Sequence, residues 1–187
     1  MLDLGFGVHF EEISESELAS MLMWRNDPKI YRWCRQVGLL NWEQHFAWYK
    51  RQSVDPATNM FAVHAPAVSF EGRQFVGVAG LTSIDQHNRR AEFSLYIAPE
   101  FHKRGHAKAA LKTLFSHGFR DLGLNLIWGE SIDLNPAQKM FLDLGMVKEG
   151  VRRDFYFKEG RFWDAQLFSL KKAEWEIQKW NTCSQQS

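Results

Sequence analysis

Cysteine is nearly absent from this sequence of 187 residues, which contains only Cys34 and Cys183. Two cysteines so far apart form neither a disulfide framework nor a metal-binding spacing, and no histidine pair is spaced with carboxylates as metal ligands are. We therefore expect a cytoplasmic protein that holds no metal. A long apolar run is also absent, so no membrane span is expected. The first residues, MLDLGFGVHFEE, lack the basic start and the apolar stretch of a signal peptide.

The sequence also lacks an excess of either charge. It contains 23 Lys and Arg against 22 Asp and Glu, which gives a formal net charge of +1. Proteins that bind nucleic acid usually carry a clear basic excess, so nucleic acid is not an expected partner. Aromatic residues, in contrast, make up 14% of the chain. Many of them fall between residues 24 and 49, where they form either a helical core or part of the wall of a ligand pocket.

Hydrophobic periodicity predicts one mixed α/β domain over residues 1–175 and a polar tail at 176–187. The patterns follow the order of a strand, two helices, three antiparallel strands, a helix, a strand, a helix and two final strands. The pair Asp27-Pro28 should end the first helix, because a residue before proline avoids helical angles. Asn41 is the candidate N-cap of the second helix.

The loop at Pro99–Leu111, PEFHKRGHAKAAL, joins a predicted strand to a predicted helix. The first N–H groups of a helix have no partner within the helix, and its dipole adds positive charge there, so such an end binds phosphate readily. Gly105 would let the backbone approach an anion closely, and Ala107 is too small to block it. Three residues add positive charge, namely Lys103, Arg104 and Lys108. The residues alone leave two interpretations open, an anion site or a solvated basic turn. ATP chemistry is not expected, because the loop lacks a second glycine followed by Lys-Ser/Thr.

The stretch RRAEFSLYIAPEFHKRGHAKAAL resembles the central motif of the GCN5-related N-acetyltransferases (GNAT family). In that family a Gln/Arg-x-x-Gly-x-Gly/Ala loop holds the diphosphate of coenzyme A. Here Gly105 and Ala107 match this frame, whereas His102 stands where the family usually has Gln or Arg. SIDLNPAQKMFLDLGM is similar to a later family segment, Asn-x-x-Ala-x-x-x-Tyr-x-x-x-Gly-Phe. Asn135 matches the asparagine, one residue is deleted before the alanine, and Phe141 and Met146 replace the tyrosine and the phenylalanine. The resemblance covers residues 8–170 and is closest to the ribosomal-protein N-terminal and spermidine acetyltransferases.

This resemblance implies the GNAT fold, an α/β (α+β) architecture with a mixed, mostly antiparallel central sheet flanked by about four helices. It also implies acetyl-CoA as cosubstrate and acetyl transfer to a primary amine by direct attack in a ternary complex. We expect the acceptor to be a small-molecule amine such as an aminosugar or a polyamine. A protein N-terminus is an alternative acceptor, and a catalytically silent coenzyme A-binding module is an alternative of another class. Homodimers occur among relatives, so a homodimer is possible.

The resemblance further implies which residues bind the coenzyme. Backbone groups near Tyr96 and Ile97 would bind the pantetheine arm between two central strands, and loop amides would hold the diphosphate. The expected coenzyme-binding residues are Tyr96, Ile97, His102, Lys103, Arg104, Gly105, His106, Ala107, Lys108, Asn135 and Phe141.

The acceptor amine must lose a proton, because a primary ammonium has a pKa of about 10.4. Glu92 is the candidate base, since it lies on the polar face of the strand before the loop and matches the AEF sequence of the spermidine-acetyltransferase branch. The alternative is a structural ion pair between Glu92 and Arg89 or Arg90. Because Phe141 cannot donate a proton, either Tyr96, Tyr156 or water would protonate the leaving thiolate, or the thiolate leaves without a proton donor. Three histidines are further candidate proton acceptors or simply packing residues, namely His45, His64 and His87.

The segment LMWRNDPKIYRW, together with the later His45, resembles aminosugar N-acetyltransferases that act on nucleotide-linked sugars. In that interpretation Trp24, Arg25 and Trp33 bind the acceptor by stacking and charge. The alternative is that Arg25 forms a salt bridge and that Trp24 and Trp33 are core residues. A polyamine would instead favour clustered carboxylates, and the sequence does not bring its scattered acidic residues together. These are Glu11, Glu12, Glu43 and Asp85.

Overall fold

Eight strands form one sheet in the structure, a computed structural model that describes residues 2–3, 5–67 and 72–182. The strands are β1 (Leu2–Asp3), β2 (His9–Glu12), β3 (Asn59–Pro66), β4 (Arg73–Asp85), β5 (Arg90–Ile97), β6 (Leu126–Ile132), β7 (Val147–Lys158) and β8 (Arg161–Lys171). Their order in the sheet is β1-β2-β3-β4-β5-β6-β8-β7. Every neighbouring pair is antiparallel except β5 and β6. The predicted mixed, mostly antiparallel sheet is therefore confirmed.

The described residues contain seven α-helical segments where about four were expected. They are α1 (Leu18–Asn26), α2 (Pro28–Tyr31), α3 (Trp42–Gln52), α4 (His106–Ser116), α5 (Gln138–Asp143), α6 (Lys172–Glu176) and α7 (Lys179–Thr182). The additional segments are short, and α2 follows α1 at once because Pro28 suits the first position of a helix. The Asn41 side chain accepts a hydrogen bond of 2.9 Å from the backbone N–H of Gln44, so Asn41 caps α3 as predicted.

Helices pack on both faces of the sheet, because neighbouring residues of a strand point to opposite sides. Val63 packs into the larger core with Leu114 of α4, whereas the preceding Ala62 packs with Leu18 and Met21 of α1. All five side chains are fully buried. No helix among the described residues is long and apolar enough to cross a membrane.

The parallel strands β5 and β6 pair along only part of their length. Their register joins Arg90 to Leu126 and Glu92 to Trp128, and no pairing follows beyond these residues in the described chain. Beyond Glu92 the two strands separate, so backbone groups of β5 lose the partners that a paired strand would give them. Gly129 lies at the start of this separation, where a Cβ atom would collide with the Phe93 ring. The sheet therefore opens into a cleft directly beyond Glu92.

Candidate active site

The opening between β5 and β6 continues into a cleft of about 790 Å³. Its walls come from β5 and β6, from the loop before α4, from the segment around α5 and from the chain between α1 and α3. Ten of the eleven predicted coenzyme-binding residues line this cleft, namely Tyr96, Ile97, His102, Lys103, Gly105, His106, Ala107, Lys108, Asn135 and Phe141. The structure therefore brings together residues that lie far apart in the sequence.

The N-terminus of α4 faces the cleft without a capping side chain. Gly105 occupies the N-cap position with φ 85°, a left-handed conformation that an L side chain rarely adopts. A Cβ atom at Gly105 would meet no atom of the described residues within 4 Å, so packing does not explain the glycine. The first N–H groups of α4 have no partner within the helix and are free to bind an anion. These features fit the diphosphate of coenzyme A.

His102 fixes the loop to the end of β5 rather than standing free in the cleft. Its Nε2 lies 2.7 Å from the carbonyl oxygen of Ile97, and because a carbonyl only accepts, Nε2 is the donor. This hydrogen bond occupies the carbonyl oxygen of Ile97 in the described structure. A ligand in the cleft would therefore bind to other backbone groups of β5. The histidine at the position where the family usually has Gln or Arg thus has a structural function of its own.

Two predicted residues lie outside the lining of this cleft. Trp24 is 5% exposed, donates to the Glu100 carboxylate at 3.2 Å and packs on Phe75 with ring centroids 4.7 Å apart. Its burial favours the core interpretation over a contact with an acceptor. The Arg104 guanidinium lies over the Phe101 ring, 5.4 Å from its centroid.

Arg25 and Trp33 do line the cleft. The alternative interpretation of Arg25 as half of a salt bridge does not hold in the described structure. Its Nε and Nη2 atoms donate to the side-chain oxygen of Gln36, a neutral amide, at 2.9 and 2.7 Å. The Arg25 guanidinium also lies 5.7 Å from the centroid of the Tyr96 ring.

Glu92 is buried at the point where β5 and β6 separate, with 6% of the residue exposed. Its partner is neither Arg89 nor Arg90, because Oε1 of Glu92 lies 2.8 Å from the guanidinium of Arg35. Arg90 pairs instead with Asp85 at 3.3 Å. Glu92 faces the cleft, so its ion pair lies inside the site and not at an edge of the sheet.

Glu130 of β6 is a second carboxylate in the same cluster, and sequence reasoning missed it. It pairs with Arg35 at 3.4 Å and with Arg152 at 2.7 Å, and it accepts a hydrogen bond from the Tyr156 hydroxyl. Its side chain is only 5% exposed. A glutamate within the apolar run LNLIWGESI was the available signal, because a buried charge requires partners.

Burial raises the pKa of Glu92 above that of an ordinary carboxyl, since the ionised form loses water. The nearby Arg35 opposes this rise in pKa, whereas the charge of Glu130 adds to it. Burial and the hydrogen bond to Glu130 also raise the pKa of Tyr156. Tyr156 is therefore a neutral donor that is already engaged by Glu130.

Tyr96 has a hydroxyl that is buried and has no hydrogen-bond partner among the described residues. Burial raises the pKa of this hydroxyl, so Tyr96 keeps its proton at neutral pH. Phe141 packs edge-on against Phe93 and Phe168, with centroids 5.1 and 5.4 Å apart. Tyr96 thus belongs to the wall of the cleft and carries a protonated hydroxyl, and Phe141 packs among other rings.

The three candidate histidines lie in different places. His45 lines a second, smaller cavity next to the cleft. His64 lies 3.1 Å from Glu17, and His87 is exposed in the turn before β5, so neither lines the cleft. Within the described ranges, no three His, Cys, Asp or Glu side chains are grouped to hold a metal ion.

Comparisons with known proteins show which family this chain resembles in sequence and fold. Residues 8–147 match the family model described as the acetyltransferase (GNAT) domain. YdaF from Bacillus subtilis, which is named as a provisional ribosomal N-acetyltransferase, is 34% identical over 167 residues, covering 89% of this chain and 84% of YdaF. A spermidine N(1)-acetyltransferase from Vibrio cholerae is 27% identical over 104 residues, covering 55% of this chain and 60% of that protein.

The crystal structure of a spermidine N-acetyltransferase from Vibrio cholerae, in complex with CoA and spermine, has a similar fold. It matches with a TM-score of 0.83 and 22% identity, over 91% of this chain and 98% of that one.

Proposed function

The chain belongs to the GNAT family of acetyltransferases, and on this premise we propose that it transfers the acetyl group of acetyl-CoA to a primary amine of a small molecule. One observation carries the proposal. The uncapped N-terminus of α4, the unpaired part of β5 and the buried carboxylate of Glu92 all face the same cleft. The reaction needs an anion site for the diphosphate, a strand edge for the pantetheine arm and a base for the proton of the amine.

The coenzyme would bind along the cleft from the loop toward Glu92. Amides at the start of α4 would hold the diphosphate, and Lys103 and Lys108 add positive charge beside them. The pantetheine arm would follow the unpaired part of β5, where backbone groups lack partners in β6. The acetyl group would then lie near the point where β5 and β6 meet.

Glu92 would accept the proton of the acceptor amine, directly or through one water molecule. A carboxylate with a raised pKa is a better base than an ordinary one, and burial supplies that rise in the pKa of Glu92. The amine nitrogen attacks the thioester carbonyl, and the bond between carbon and sulfur then breaks. Backbone N–H groups of β5 would stabilise the negative charge that develops on the carbonyl oxygen. The Tyr96 hydroxyl would donate a proton to the departing thiolate.

Tyr156 is the weaker candidate for that donor, because its hydroxyl is bound to Glu130. Direct attack needs no nucleophilic cysteine, so Cys34 would not take part, and Cys183 lies outside the described residues. The aminosugar and polyamine acceptors expected from the sequence are both primary amines and fit the same chemistry. A homodimer stays a prediction.

The test is a thiol-release assay with acetyl-CoA and a panel of primary amines. We expect release that depends on an amine and yields the N-acetylated product by mass spectrometry. Tight binding of acetyl-CoA without thiol release for any amine would instead support the silent coenzyme A-binding module.

A further inference from the structure

A second cavity of about 440 Å³ lies beside the cleft and shares four lining residues with it, namely Arg25, Arg35, Ser94 and Tyr96. The remaining lining residues come from α3, β3, β4 and the loop before α3, namely Leu40, Gln44, His45, Trp48, Arg51, Met60 and Thr82. A volume of this size suits a small organic molecule. The shared wall includes Tyr96, so a molecule in this cavity would border the site proposed for acetyl transfer.

The described lining of the smaller cavity contains three arginines and no acidic residue. Arg35 is compensated by Glu92 and Glu130. Neither Arg25 nor Arg51 takes part in an ion pair among the described residues. Two arginines without an acidic partner in the described chain therefore line this cavity, and guanidinium is the side-chain group best suited to bind carboxylate or phosphate.

His45, which lines this cavity, has a buried polar atom without a partner among the described residues. The residue is 3% exposed, and its Nε2 is buried without a hydrogen-bond partner in the described chain. A hydrogen bond to the backbone of Leu18 engages the ring, which leaves Nε2 as a free acceptor. Burial and the charge of Arg25 lower the pKa of His45, so the ring is neutral at neutral pH. A buried acceptor without a partner is costly, and a ligand hydroxyl or amine would satisfy it.

We propose that this cavity binds the acceptor amine and that the acceptor also carries an anionic group, a carboxylate or a phosphate. Arg25 and Arg51 hold the anion, and Nε2 of His45 accepts a hydrogen bond from a hydroxyl or amine of the same molecule. The acceptor amine then lies at the shared wall near Tyr96. The proposal rests on the function proposed above for the cleft, and it narrows the choice of acceptor. A polyamine carries only positive charge and would be repelled by the two arginines.

The test compares amines that differ only in the anion. Glucosamine 6-phosphate is paired with glucosamine, β-alanine with β-alaninamide, and spermidine represents the polyamines. We expect an anionic member to be acetylated with a kcat/KM at least about tenfold above its neutral partner and above spermidine. The two pairs also show whether the anion is a phosphate or a carboxylate. Calorimetry with the protein saturated with coenzyme A measures binding of the same amines without turnover.

Two variants test whether the preference for anionic amines arises in this cavity. Arg51→Gln should raise the KM, or the Kd, of the preferred anionic amine about tenfold without changing the Kd of acetyl-CoA. The control Lys50→Gln removes the same charge from the neighbouring position of α3, where Lys50 pairs with Glu15 at 3.1 Å outside the cavity lining, and it should change neither constant.

Three outcomes would overturn the inference and leave the proposed function standing. They are a preference for neutral amines, a preference for spermidine, and equal effects of the two substitutions. Binding of acetyl-CoA without binding or acetylation of any anionic amine would also overturn the inference. If no amine of the panel, anionic, neutral or polyamine, causes thiol release, the proposed function itself fails.

Discussion

Replacing Glu92 with glutamine should lower kcat by two to four orders of magnitude and leave the Kd of acetyl-CoA unchanged. Glutamine keeps the shape of the side chain and can still accept a hydrogen bond from Arg35, which lies 2.8 Å from the glutamate in the wild type. It cannot accept a proton. The loss of a general base typically costs about 10²–10⁴ in rate, or about 3–5 kcal/mol of transition-state stabilisation.

Glu130→Gln is the matched control, because Glu130 is equally buried but both its oxygens are occupied by Arg152, Arg35 and Tyr156. It should cost less activity than Glu92→Gln. Glu130 also raises the pKa of Glu92, so its removal should move the acidic limb of the profile of kcat against pH to lower pH. The assay is thiol release from pH 5 to pH 9, with calorimetry for acetyl-CoA. Unchanged turnover in Glu92→Gln would make Glu92 a structural residue and refute this assignment.

Three further predictions concern the coenzyme, the donor and stability. Gly105→Glu should abolish coenzyme binding in calorimetry, whereas Gly160→Glu, at an equally open position with positive φ outside the cleft, should not; equal losses would contradict an anion site. Tyr96→Phe should lower kcat without raising the KM of acetyl-CoA, and unchanged kcat would exclude Tyr96 as the donor. The raised pKa of Glu92 means that the folded chain binds this proton more tightly than the unfolded chain. Lowering the pH toward that pKa should therefore raise the free energy of unfolding of the wild type relative to that of Glu92→Gln, as measured by chemical unfolding. The same pH dependence of the free energy of unfolding in both proteins would contradict a raised pKa of Glu92.

The loop and its strand were predictable because their signals are local. The alternation in Ala91–Ile97 places Glu92 and Tyr96 on one face, and a glycine before a helical pattern indicates an open N-terminus at α4. Both features depend on residues that lie close together in the sequence. Local periodicity therefore predicted both the strand and the start of the helix.

The carboxylate cluster was not predictable, because its members meet only in three dimensions. Arg35 comes from an irregular segment between α2 and α3, Glu130 from β6, and Tyr156 from β7. No spacing in the sequence relates these elements. For the same reason the sequence offers only Arg89 or Arg90 as partners in the alternative interpretation of Glu92, whereas the partner in the structure is Arg35. Trp24 was wrongly predicted to bind the acceptor for a different reason. The sequence does not distinguish a tryptophan that lines a pocket from one that is buried in a core.

Whether the cleft transfers the acetyl group of acetyl-CoA to an amine is tested most directly by thiol release. Amine-dependent release is measured for the wild-type chain and for Gly105→Glu side by side. We expect release and an N-acetylated amine for the wild type, and neither for the variant. Two results would contradict this function. One is thiol release that persists in Gly105→Glu, and the other is a wild-type protein that binds acetyl-CoA tightly yet releases no thiol with any amine.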